Sequence, residues 1–125
     1  MPTNIRIIHT RDFIRAKPDG ILDLSASRSL LKDLVTQFDT AGRYRVLVDL
    51  RGAEVRLSTI EIYQVGVAVA SETALAHEMI ALLAPPEKKV DVGFFESVSR
   101  NRGALLRAFT EFETAITWLI TKEQP

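Results

Sequence analysis

The sequence predicts an α/β domain: a mainly parallel sheet in the element order ββαβαβαβα, with packed helices and an antiparallel strand from an opening hairpin. Three observations carry this. Residues 44–50, YRVLVDL, are almost continuously apolar and β-branched, as in a parallel strand covered on both faces. Capping-box pairs, Ser58 with Glu61 and Thr110 with Glu113, stand ahead of apolar-periodic segments. Apolar runs at 78–84 and 105–109 alternate with segments of helical length, and such crossovers join strands in parallel.

Taken in order, residues 4–10 and 12–17 are β-leaning runs, and Pro18-Asp19-Gly20 has the chemistry of a closing turn. Residues 21–24 lead away from it. Ser25 and Ser27 are both N-cap candidates for a helix over about 26–41, in which Leu30, Leu31, Leu34, Val35 and Phe38 recur at helical spacing and Gly42 supplies the stop. After the central strand and a charged loop, a helix over about 59–76 carries two apolar lines, one of Ile60, Tyr63, Val67 and Ala70, the other of Ile62, Val65 and Val69. One line can face the sheet. The other needs a neighbouring helix, a partner chain or a ligand, and a homodimer is one way to cover it. Gly66 inside this helix points to a close packing contact. Pro85-Pro86 ends the 78–84 strand, and a helix over about 88–102 follows with Val92, Phe95 and Val98 as its core line and Gly103 as its stop. The 105–109 strand and a last helix to about residue 121 complete the chain.

A length of 125 residues fits a single domain with a real core, and 46% hydrophobic with 26% charged residues is the balance of an ordinary globular protein. Sixteen Lys and Arg offset sixteen Asp and Glu, so no global field favours nucleic acid or anionic lipid. The absence of cysteine removes disulfides, thiol nucleophiles and thiolate metal sites. No stretch approaches a membrane span and the first residues lack a signal-peptide pattern, which leads us to expect a cytoplasmic protein.

The chemistry-bearing residues are sparse. Asp49, at the end of the central strand, can orient a ligand, act as a base with Arg51 or Arg102, or simply accept loop N–H bonds. Arg51, Arg56, Arg100, Arg102 and Arg107 would form an anion site if the fold gathered them, and otherwise pair locally with residues such as Glu54 and Glu96. His9 and His77 have no companion ligands, so no metal is expected, and no glycine-rich phosphate loop is present. Phe94, Phe95, Phe109, Phe112 and Trp118 lack interleaved basic residues and read as core rather than as a base-stacking platform. No cofactor and no catalytic residue is assigned.

The stretches RVLVDLRGAEVRLSTIEIY, FFESVSRNRGALLRAF and AITWL resemble the SpoIIAA-like, STAS-type family, the fold of bacterial anti-sigma-factor antagonists, over nearly the whole chain, and in particular a poorly characterised subgroup of it. The resemblance implies a single-domain, non-enzymatic signalling module that docks a protein partner, such as a regulator or kinase, through residues 51–66. In phosphorylatable members an Asp-Ser-Ser run heads the helix after the central strand. Here that run falls on Leu57, Ser58 and Thr59, and the glycine that follows it is Ile60. Ser58 and Thr59 are thus the candidate phosphoacceptors, without the usual acidic neighbour. The broad fold is also similar to CRAL-TRIO-type lipid carriers, which implies the alternative of a small apolar or lipid-like ligand held between helices and sheet, lined by Ile62, Val65, Val69 and Phe94. The expected partner or ligand surface therefore comprises Asp49, Arg51, Arg56, Ile62, Val65, Val69, Phe94 and Arg102.

Overall fold

A computed structural model describes residues 4–9, 13–37, 45–75 and 78–121. The elements are β1 (Asn4–His9), β2 (Ile14–Leu22), α1 (Leu24–Gln37), β3 (Arg45–Asp49), β4 (Ala53–Val55), α2 (Thr59–Ser71), β5 (Met79–Leu83), α3 (Lys89–Arg100), β6 (Leu105–Phe109) and α4 (Phe112–Thr121). The strands lie in the order β1-β2-β3-β5-β6. β1 runs antiparallel to β2, and β2, β3, β5 and β6 are mutually parallel. Gly42 and the end of the expected first helix lie outside the described residues, as does the connection between β1 and β2.

Side chains alternate across this sheet and divide the core in two. Ile14, Ala16, Val46, Val48, Ile80, Leu82 and Leu106 face α1, α2 and α3. On the other face Leu47, Met79, Ala81 and Leu83 meet Ala115 and Leu119 of α4. The double cover explains why β3 and β5 read as unbroken apolar runs. No described helix is long and apolar enough to cross a membrane.

Three expectations are corrected. Pro18-Asp19-Gly20 is no turn: it lies inside β2. It marks the place where β2 changes neighbour, since Ile14, Arg15 and Ala16 pair with β3 whereas Gly20, Ile21 and Leu22 pair with β4. Gly20 has a φ of 85°, a conformation costly for residues with a side chain, so the bend needs glycine. Neither Ser25 nor Ser27 caps α1. Asp23 does, its Oδ1 accepting the Ala26 N–H at 2.9 Å, because an aspartate one residue before the helix is an equally good cap. Thr110 does not cap α4 either: the Ala115 N–H donates to the Glu111 carbonyl, which puts Glu111 at the cap position. The loop after β3 also contains β4, which at three residues is too short to show an alternation.

α2 ends at Ser71 and a 3₁₀ turn, Thr73–Leu75, follows within the stretch expected as one helix, whose last residue lies outside the described residues. α2 packs on α3 and comes close to it at Gly66: a Cβ built there would lie 2.8 Å from Val98 Cγ1. Ala at position 66 gains about 1 kcal/mol of helix propensity but overpacks the contact by about 1–3 kcal/mol. Gly66→Ala is therefore expected to lower the urea midpoint, and adding Val98→Ala to remove the clash. A midpoint raised in the single variant, as the propensity gain alone would give, would refute the close approach.

Candidate functional site

β3 delivers Asp49 to the α4 side of the sheet, where its side chain is 0% exposed. A carboxylate placed there must be fully bonded or neutralised. It is fully bonded. Arg51 Nε donates to Oδ1 at 3.0 Å and Arg51 Nη2 to Oδ2 at 3.0 Å, a bidentate fork; the Arg51 backbone N–H donates to Oδ1 at 3.1 Å and Arg15 Nη2 to Oδ2 at 2.7 Å. Four donors fill the acceptor positions of the carboxylate. Both guanidinium carbons lie 5.5 Å from the centroid of the Phe112 ring, at the head of α4. Burial alone would raise the Asp49 pKa; the bonds from Arg51 and Arg15 overcome that and bring it down to about 2. A group so held is a poor base. Its geometry fits the architectural role among those weighed for it.

The helix head is also spent on structure. Ser58 Oγ accepts the Glu61 N–H at 3.2 Å and Glu61 Oε1 accepts the Ser58 N–H at 2.8 Å, a complete capping box. Ser58 and Thr59 are both exposed. The outward line of α2 begins beside them, with Ile60 69% exposed and Tyr63 42% exposed. On α3, Val90 and Phe94 are exposed too.

The inward line of α2 behaves differently. Ile62, Val65 and Val69 line an apolar cavity of about 100 Å³ between α1, α2, α3 and the sheet. Phe94, expected in that lining, is not part of it; Phe95 is, because α3 turns the neighbouring residue inward. Ser27 of α1 also lines the cavity, 5% exposed, and its hydroxyl has no hydrogen-bond partner among the described residues. Asp91 stands half-buried in the same lining.

The arginines expected at the site do not converge. Arg51 holds Asp49, Arg56 pairs with Glu54, and Arg102 Nη2 donates to the Tyr63 hydroxyl at 2.7 Å with its guanidinium over the Tyr63 ring. The residue that does join Arg51 is Arg15, which sequence reading overlooked because it lies 34 positions from Asp49 on another strand. Among the described residues no cluster of three or more His, Asp or Glu is arranged to hold a metal.

The Asp49 carboxyl titrates at about 2 in the fold against an ordinary value of 3.8. A lowered folded-state pKa contributes stability above the unfolded value, lost as pH falls through the folded one. Asp49→Asn should therefore lower stability near neutral pH, with about 2 kcal/mol of the gap to the parent closing as pH falls from about 5 to 2. Urea unfolding of both proteins across that range measures it. A gap that stays constant would sink the assignment.

No family model matches the sequence, and no curated protein does. Among solved structures the chain is similar to the crystal structure of an uncharacterized protein from the DUF3478 family, with a SpoIIAA-like fold, from Shewanella loihica PV-4. The two align with a TM-score of 0.57 and 16% sequence identity over 94% of this chain and 93% of that one. The parallel sheet, the helices on its two faces and this similarity together establish that the chain has a SpoIIAA-like fold.

Proposed function

We propose that this chain is a non-enzymatic STAS-like regulatory module that docks a protein partner through residues 51–66. The observation that carries the reading is the exposed pair Ile60 and Tyr63, one turn apart at the head of α2, while the same helix buries Ile62 and Val69. Large apolar side chains displayed beside a rigid, capped helix start are suited to a contact surface. Asp49 supports the non-enzymatic reading, since all four of its acceptor positions serve Arg15 and Arg51. Ser58 and Thr59 are regulatory candidates within this reading. A phosphate on either would sit at the positive end of α2, where its charge is tolerated, and on Ser58 it would replace the capping hydroxyl.

The cavity favours a second reading, the binding of a small apolar or lipid-like ligand. Both readings keep the cytoplasmic setting expected from the sequence.

Native mass spectrometry of the chain purified from its own host tests both readings. The parent is expected to carry a partner mass that Ile60→Asp loses; a bare monomer in both samples overturns partner docking, and a mass of two copies assigns the surface to a homodimer instead. Under the ligand reading a small retained mass is expected in the parent and its loss in Val65→Phe, which fills the cavity. Retention unchanged in Val65→Phe would exclude the cavity as its seat.

A further inference from the structure

The α4 side of the sheet holds a feature that neither reading uses. α4 packs on β3, β5 and β6, and on the β2 side of that face the side chains of Arg15, Lys17 and Asp19 are left half-buried. Arg6 of β1 is opposite Lys17 in the antiparallel register, on the same face, and is exposed. Gly52 follows Arg51 in the turn that leads into β4. A Cβ built on it would lie 3.9 Å from Lys17 Cε and 3.0 Å from Asp19 Oδ1, which places both side chains over the turn beside Arg51.

We propose that Arg6, Arg15, Lys17 and Arg51 form a binding site for a small phosphate-class dianion. On the β1–β2 half of this face these four cations stand with two carboxylates, Asp49 and Asp19, and one of those is already saturated by two guanidiniums. The excess of positive charge matches a dianion better than a monoanion. The two guanidiniums are fixed in advance, stacked on Phe112 and anchored to Asp49, so ordering them costs a ligand little. Arg15 Nε–H is buried without an acceptor among the described residues, so that guanidinium is not fully satisfied by the protein. Among the described residues Lys17 forms no ion pair, and its ammonium is free to complete the site. At the head of α4 Glu111 and Glu113 are both exposed, and neither is in an ion pair with Arg15 or Arg51; Glu111 lies against α3 and β6. A macromolecular polyanion is a worse fit, because the chain is neutral overall and the cations of α1, Arg28 and Lys32, belong to the opposite side of the sheet.

The test is calorimetric and NMR titration of the full chain with inorganic phosphate at low salt and about pH 8, where the dianion dominates. Acetate serves as the monoanionic probe. Saturable binding of one phosphate is expected, with acetate roughly tenfold weaker. Lys17→Ala should weaken phosphate about fivefold or more and Arg6→Ala by less, both at unchanged melting temperature, because neither residue holds Asp49. Arg28→Ala, on the other side of the sheet, should change nothing. Absence of saturation at millimolar phosphate, equal losses in the Lys17 and Arg28 variants, or acetate binding as tightly as phosphate each overturns the proposal. So does tight binding of a long polyanion such as heparin without binding of phosphate, which would make this a macromolecular docking face.

Discussion

Burial of a charged carboxylate at the end of β3 is the constraint on which the surrounding structure depends. Asp49 is wholly enclosed, and a carboxylate there costs several kcal/mol unless its lone pairs are met. The solution draws on three parts of the chain: Arg15 from β2, Arg51 from the turn after β3, and Phe112 from the head of α4, whose ring lies against both guanidiniums. These contacts fix where the chain leaves β3 and how α4 enters against the sheet. They also set the direction of the turn that carries Gly52 and then β4 onto the end of β2. The helix head at Ser58 is presented three residues later, so its position follows from a salt-bridged network on the opposite face.

That arrangement separates architecture from display. Polar residues one would search for chemistry, Asp49 and Ser58, are occupied by backbone and neighbouring side chains. Among the described residues, apolar side chains on α2 and α3 and cations on the β1–β2 half of the other face stay exposed or half-buried. They lie on two different faces of the sheet, which is why an anion on one and a partner or apolar ligand on the other are independent propositions.

The fold was legible because its strongest signals are local. The apolar run of β3, the Ser58–Glu61 capping box and the spacing of β5, α3 and β6 each sit within a few residues, and each is present in the structure. Local reading failed where a residue's role comes from a distant neighbour. Pro18 and Gly20 have turn chemistry, yet β1 and β4 supply partners that hold them in a strand. Asp23 outcompeted two serines for the cap of α1, and Ser27 is left facing a cavity that only the packed helices create. Arg15 and Phe112 could not be assigned to Asp49 from spacing, since the sheet order and the α4 crossover bring them together. Phe94 and Phe95 differ by a rotation of one residue about α3, finer than a periodicity argument resolves.

The cavity bears on how the two functional readings relate. Its walls are Leu, Ile, Val and Phe side chains with one buried hydroxyl, Ser27, and one half-buried carboxylate, Asp91. Water is held well in a buried site only where about two to four polar partners surround it, which this lining does not offer across about 100 Å³. Apolar matter with a single polar group suits it better. α2 forms one wall, and its Ile62, Val65 and Val69 are interleaved along the helix with the outward Ile60 and Tyr63. The Gly66–Val98 contact ties that helix tightly to α3, so the pair has little freedom to absorb a change in cavity contents by local adjustment. Contents that pressed on the inward line would therefore be transmitted to the surface line as a shift of the whole helix. On this argument the cavity lining and the exposed line are two sides of one rigid element.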